Sequence, residues 1–97
     1  MATITNDNQG PFYVGQSLQI DFETNIDLTG AKIKVRHVPP GKTRLDYATG
    51  RISKNKVEFD FVPSDKGNHR FWLYGLDKNN KVIISSPVDV FVREEGT

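Results

Sequence analysis

Apolar and polar residues alternate one for one along much of this chain. Leu18, Ile20 and Phe22 are interleaved with Gln19, Asp21 and Glu23. Ala31, Ile33 and Val35 are interleaved with Lys32, Lys34 and Arg36, and Val57, Phe59 and Phe61 with Glu58 and Asp60. A period of two sends successive side chains to opposite faces of an extended strand, so each stretch predicts a strand with one face in a core and the other in water. "PFYV" at 11–14 reads as a further short strand, and 45–48 and 51–53 as two weaker ones. "RFWLYGL" at 70–76 and "VIISSPVDVFV" at 82–92 complete the series. No segment has a helical period. About seven short strands at steady spacing predict an all-β antiparallel sandwich or barrel.

The residues between the strands refine this picture. Pro39, Pro40 and Gly41 end the strand before them, because proline cannot donate to a ladder and glycine permits the turn. Asn79 and Asn80 predict a two-residue hairpin, since asparagine tolerates positive φ. Counting back from that turn pairs Tyr74 with Ser85 and Leu76 with Ile83. Pro87 predicts an edge position or a bulge for the last strand and argues against a central one. The first ten residues are polar and without period, as expected of a flexible arm or a short edge strand. The expected organisation is an arm over 1–10, one domain over 11–93 and a solvated tail over 94–97.

The expected core is Phe22, Val35, Phe59, Phe61, Phe71 and Leu73. Setting Phe71 and Leu73 inward turns Arg70, Trp72 and Tyr74 outward, and the reverse parity would bury Arg70 without a partner.

"DKGNHRF" at 65–71 has the pattern Asp-x-Gly-x-His-x-Phe. It resembles the Asp-x-Gly-x-Tyr-x-Cys segment that leads into strand F of immunoglobulin domains. His69 stands at the tyrosine position, where it could still bond the corner backbone. Phe71 stands at the cysteine position, where it would fill the core in place of a disulfide. A wider resemblance covers most of the chain: Asp27-Leu28-Thr29-Gly30-Ala31, the alternating strand after it, the Pro/Gly turn, a Gly-x-His-Arg-Phe strand and the final "SSPVDVFV". This series resembles the small immunoglobulin-like modules of bacteriophage structural proteins, among them the N-terminal domain of baseplate upper proteins, which usually have Gly-x-Tyr-x-Tyr in the fourth element. The resemblance implies an immunoglobulin-like sandwich in a virion component of tail, baseplate or capsid. Such a component is made in the host cytoplasm and acts through contacts with other virion proteins or with copies of itself.

Composition narrows the alternatives. Of 97 residues, 36% are apolar and 26% charged, which is too hydrophobic for a disordered chain. There is no cysteine, so neither a disulfide nor a thiolate metal site can form. No apolar run approaches the ~20 residues of a membrane span, and "MATITNDNQG" lacks the basic and apolar regions of a signal peptide, as expected of a cytoplasmic product.

No catalytic constellation emerges. His37 and His69 lie on different strands without His-x-x-x-His or Glu-x-x-His spacing, so neither a metal nor any other cofactor is expected. Ser64 and Ser85 lack a nucleophile-elbow sequence, and "TGRISKNK" is not a phosphate loop. The chain reads as a non-enzyme.

Charge placement is more informative than the net charge of +1. In immunoglobulin-like order, Asp21, Glu23, Glu58 and Asp60 make one outer face acidic. Lys32, Lys34, Arg36 and Arg70 make the opposite face basic, beside an apolar patch of Trp72, Tyr74, Leu76 and Ile83. These eight residues are the candidate partner-binding site, since exposed apolar surface on a small domain marks a binding face and Trp, Tyr and Arg dominate interface energies. Protein docking is the leading reading. Stacking of a carbohydrate or a single-stranded nucleic acid on the aromatic residues is the alternative, and the near-zero net charge argues against the nucleic acid. Coverage of the patch by the N-terminal arm or by the segment around Leu45 and Tyr47 would remove the site.

Overall fold

The computed structural model describes residues 2–5, 12–48 and 51–95. Among them there is no helix; the chain forms two sheets whose apolar faces enclose one core. The strands are β1 (Ala2–Thr5), β2 (Phe12–Tyr13), β3 (Leu18–Glu23), β4 (Lys32–Val38), β5 (Leu45–Ala48), β6 (Arg51–Ser53), β7 (Lys56–Phe61), β8 (Gly67–Leu76), β9 (Val82–Ile84) and β10 (Val88–Arg93). One sheet has the order β1-β3-β7-β6. The other runs β2-β10-β8-β4-β5, with β9 also paired to β8. All pairings are antiparallel except β2 with β10.

The strand count exceeds the expected figure of about seven, in part because the last strand is broken. Pro87 lies in the break between β9 and β10, where Ser85 repairs the ladder: its Oγ accepts from the Leu73 N–H at 2.8 Å while its own N–H donates to the Leu73 carbonyl at 3.1 Å. The peripheral position expected for the last strand is corrected here. β10 runs between β2 and β8, and the proline is tolerated because it sits in the break, outside both strands. Ala2–Thr5, within the expected arm, pairs with β3, while Met1, residues 6–11 and residues 96–97 lie outside the described residues.

Leu18, Ile20, Phe22 and Val57 from one sheet meet Val35, Phe71, Leu73, Val90 and Val92 from the other, all essentially sealed from water. Five of the six expected core residues are buried. Phe61 is half-buried and packs against the cluster. Leu28 plugs the core from the turn after β3, held there by Asp27, whose Oδ1 accepts from the Thr29 N–H at 2.9 Å and the Thr29 hydroxyl at 2.6 Å.

β4 and β8 are the central pair, in register from Lys32 opposite Leu76 to Val38 opposite Arg70. Gly75 makes their close approach possible, because a Cβ there would lie 2.1 Å from the Lys32 carbonyl oxygen and 2.8 Å from the Ile33 Cα. That obstacle is backbone and cannot turn aside.

Two core substitutions should therefore separate packing from backbone fit. Phe71→Ala should lower the unfolding free energy by about 3–5 kcal/mol in a urea titration. Gly75→Ala should cost about 1–3 kcal/mol although it adds only a methyl group; a neutral Gly75→Ala would contradict the β4–β8 contact.

Candidate functional site

The outer face of the larger sheet is built by alternation on β4, β8, β9 and β10. With Phe71 and Leu73 inward, Arg70, Trp72, Tyr74 and Leu76 project outward from β8, and Lys32, Lys34 and Arg36 from β4 beside them. Trp72 and Tyr74 are half-buried; Leu76 is exposed.

Ile83 does not belong to this face. It is only 6% exposed and faces the core opposite Gly75. The expected register was one residue off, because the loop holds three residues and not two. Asp77 donates its N–H to the Lys81 carbonyl at 2.8 Å, so Lys78, Asn79 and Asn80 form the loop. The Asp77 carboxylate accepts from the backbone of Asn79 and Lys81, and Asn80 takes the positive φ of 62°. A one-residue slip exchanges the faces of a strand. Val82 and Ile84 consequently stand outward, 58% and 64% exposed, opposite Leu76 and Tyr74. The apolar patch gains two aliphatic side chains for the one it loses. Phe91, opposite Asn68 on β10, is also exposed on this face; the alternation of Val88, Val90 and Val92 already implied its direction.

The expected basic character is largely cancelled. Asp46, opposite Arg36 on β5, lies 3.1 Å from Lys34 Nζ and within ion-pair distance of Arg36 and Arg44. Arg70 forks onto Asp89 at 2.8 and 3.2 Å. The Lys34 hydrogen bond holds the Asp46 carboxyl below its ordinary range, and Arg70 does the same for Asp89. Arg36 is held chiefly by an aromatic ring: its Cζ lies 3.7 Å from the centroid of Tyr74, while its buried Nε makes no hydrogen bond and stays 3.6 Å from Asp46. The opposite outer face keeps its carboxylates, with Asp21 directly across from Glu58, but Arg51 on β6 bonds Glu58 there.

Leu45 and Tyr47 do not cover the patch. Their strand pairs them with His37 and Val35, and Tyr47 packs inward against Phe59.

A second cluster lies at the end of the core. Tyr47 Oη, His37 Nδ1 and Nε2, His69 Nδ1 and Nε2 and the Asp65 carbonyl form an unbroken chain with links of 3.0, 2.8 and 2.7 Å. The last link is the corner bond expected of His69. The Asp65 carbonyl can only accept, so His69 carries hydrogen on Nε2. With neutral rings, His69 Nδ1 then accepts from His37 Nε2–H and His37 Nδ1 accepts from the Tyr47 hydroxyl, so that all four ring nitrogens are engaged. His37 also stacks on Phe71 at 4.3 Å and meets the edge of Phe61 at 4.9 Å. With no nitrogen lone pair free, the pair is a packing element with its polarity satisfied internally. Among the described residues, no group of three His, Asp or Glu side chains is placed to hold a metal.

Comparison of the chain with protein-family models, with curated proteins and with solved structures gives no match.

Burial, followed by the neighbouring His69, lowers the His37 pKa to about 4, against a smaller opposing effect of Asp65. The folded state thus binds fewer protons than the unfolded chain between pH 6.5 and 4. The contribution of His37 is complete above pH 6.5 and is lost as pH falls toward 4, amounting to about 3 kcal/mol. Urea midpoints measured from pH 7 to 4 should fall through this window, and His37→Phe should flatten the slope while lowering stability at pH 7 by leaving the Tyr47 hydroxyl and His69 Nδ1 unpaired.

Proposed function

We propose that this chain is a non-enzymatic, immunoglobulin-like assembly module that docks protein through the outer face of its six-stranded sheet, and that it serves as a bacteriophage virion component. The observation carrying the docking reading is the apolar strip of Trp72, Tyr74, Leu76, Val82 and Ile84, contiguous across β8 and β9. Around it, cations and carboxylates are already paired with one another. A partner therefore meets an apolar centre with a polar rim, the usual anatomy of a specific protein interface.

The immunoglobulin-like reading draws support from the His69 bond to the Asp65 carbonyl and from the central placing of Phe71 in the core. The virion reading rests on the resemblance running from Asp27-Leu28-Thr29-Gly30-Ala31 to "SSPVDVFV". In that reading the partners are other virion proteins or copies of the chain itself.

Carbohydrate or single-stranded nucleic acid fits this face less well. Arg36 already occupies a face of the Tyr74 ring, and Asp46 and Asp89 stand beside the cations that a phosphate chain would need.

In particles purified from infected cells, the chain should be present as a structural component, and Trp72→Ala should remove it from them while leaving the isolated fold intact. Loss of a central anchor costs ~2 kcal/mol or more of binding. Absence of the chain from particles would end the virion reading. Unfolding by Trp72→Ala would place Trp72 in the core and end the docking reading.

A further inference from the structure

The two-residue alternation that sets side-chain faces also sets the direction of backbone groups, and at β9 this leaves an open edge. Asp77 N–H donates to Lys81, and Ser85 N–H donates to Leu73. Lys81, Ile83 and Ser85 therefore turn their peptide groups toward β8. By the alternation of an antiparallel ladder, Val82 and Ile84 turn theirs the other way. Among the described residues, β9 pairs with no strand but β8. Beyond the edge lies a groove of about 550 Å³, with the Thr24–Ile26 turn lining it together with β9. Ile26 in that turn is 42% exposed.

Edges of this kind are ordinarily blunted by charge, proline or coverage. β5 carries Asp46 with its ion pairs, and β6 carries Arg51 bonded to Glu58. From Val82 to Ser86 there is no charge and no proline.

We propose that β9 pairs antiparallel with β9 of a second copy, about a two-fold axis through Ile83. The segment is self-complementary about that centre. Val82 falls opposite Ile84 of the other copy, and Ile84 opposite its Val82, so apolar side chains meet across the axis. Lys81 falls opposite Ser85, so no like charges face each other. The residues brought into hydrogen-bonded register are the ones whose N–H and C=O groups point outward, and Ile83 occupies the non-bonded pair on the axis. The axis is perpendicular to the sheet, so both outer faces lie on the same side and the two strips of Trp72, Tyr74, Leu76, Val82 and Ile84 merge. The pairing is isologous and closed, which limits it to a dimer. It deepens the docking reading, on which it rests for the use of the merged surface. The edge geometry stands without it.

Sedimentation velocity of the whole chain over a series from about 1 µM to several hundred µM tests the pairing. A monomer–dimer equilibrium is expected. Ile84→Pro should weaken it by roughly tenfold or more without lowering the unfolding midpoint appreciably, because that N–H takes no part in the β8 ladder and proline is accepted at edge positions with the N–H outward. Ile84→Lys, at a position already exposed, should give the same loss by an independent route. A monomer at every concentration overturns the proposal, as does a dimer that withstands both substitutions. Trp72→Ala separates the two readings: loss of virion partners with the dimer intact supports both, retention of those partners by the dimeric variant overturns the face alone, and an unsubstituted chain that is monomeric yet binds virion partners through Trp72 overturns the edge alone.

Discussion

The pairing of β4 with β8 is the constraint from which both the core and the outer face of this domain follow. It runs unbroken from Lys32 opposite Leu76 to Val38 opposite Arg70, and it closes at one end only because Gly75 has no side chain to strike the Lys32 carbonyl. Its inward positions deliver Val35, His37, Phe71 and Leu73 to the core. The same register delivers Arg36 to Trp72 and Tyr74 on the outside. One choice of parity thus settles what is buried and what faces solvent. With no cysteine to tie the sheets together, the tie must come from packing across the core. His37 stacked on Phe71 and set edge-on to Phe61 of the opposite sheet supplies part of it.

Using histidine there has a physical cost and a physical remedy. An imidazole buried without partners would be strongly destabilising. Here each polar atom is answered by the next, from the Tyr47 hydroxyl to the Asp65 carbonyl, and the terminal carbonyl fixes the hydrogen on His69 Nε2. The chain of bonds also joins β5, β4 and the start of β8 with the corner before it. The same completeness explains why two adjacent histidines do not make a reactive centre.

Much of this was legible in the residues. The alternation of Leu18-Ile20-Phe22, Ile33-Val35 and Val57-Phe59-Phe61 gave β3, β4 and β7 with their inward faces, and the parity argument at Arg70 gave the faces of β8. The motif around His69 gave its backbone bond. What was not legible depended on contacts that alternation does not encode. The length of the β8–β9 loop is decided by the Asp77 carboxylate, which gathers the Asn79 and Lys81 amides and admits one more residue than Asn79-Asn80 alone suggests. That single residue moved Ile83 to the core and put Val82 and Ile84 on the surface. The pairing of Asp46 with Lys34 and Arg36 was equally hidden, because it depends on the register of β5, a strand too short and irregular to announce its partner. The parallel pairing of β2 with β10 sets Phe12 and Tyr13 beside Val92 and Arg93, and the alternation of β10 does not tell which strand lies next to it.

These corrections change how the outer face can recognise anything. A row of unpaired lysines and arginines would attract acidic partners at long range, with little discrimination and strong dependence on salt. Instead Asp46 and Asp89 hold Lys34 and Arg70 in short pairs, and Tyr74 holds Arg36 against its ring. The cations are thereby fixed in position and much of their field is cancelled. What distinguishes this surface from the rest of the molecule is then the aliphatic and aromatic strip between the pairs, whose shape is set by the β8–β9 register. Recognition through such a surface is governed by complementary packing and by desolvation of Trp72, Leu76, Val82 and Ile84, with the surrounding ion pairs acting as a rim that disfavours partners unable to accommodate them. In the proposed docking role, the one-residue difference in a hairpin loop is therefore a determinant of specificity as well as of fold.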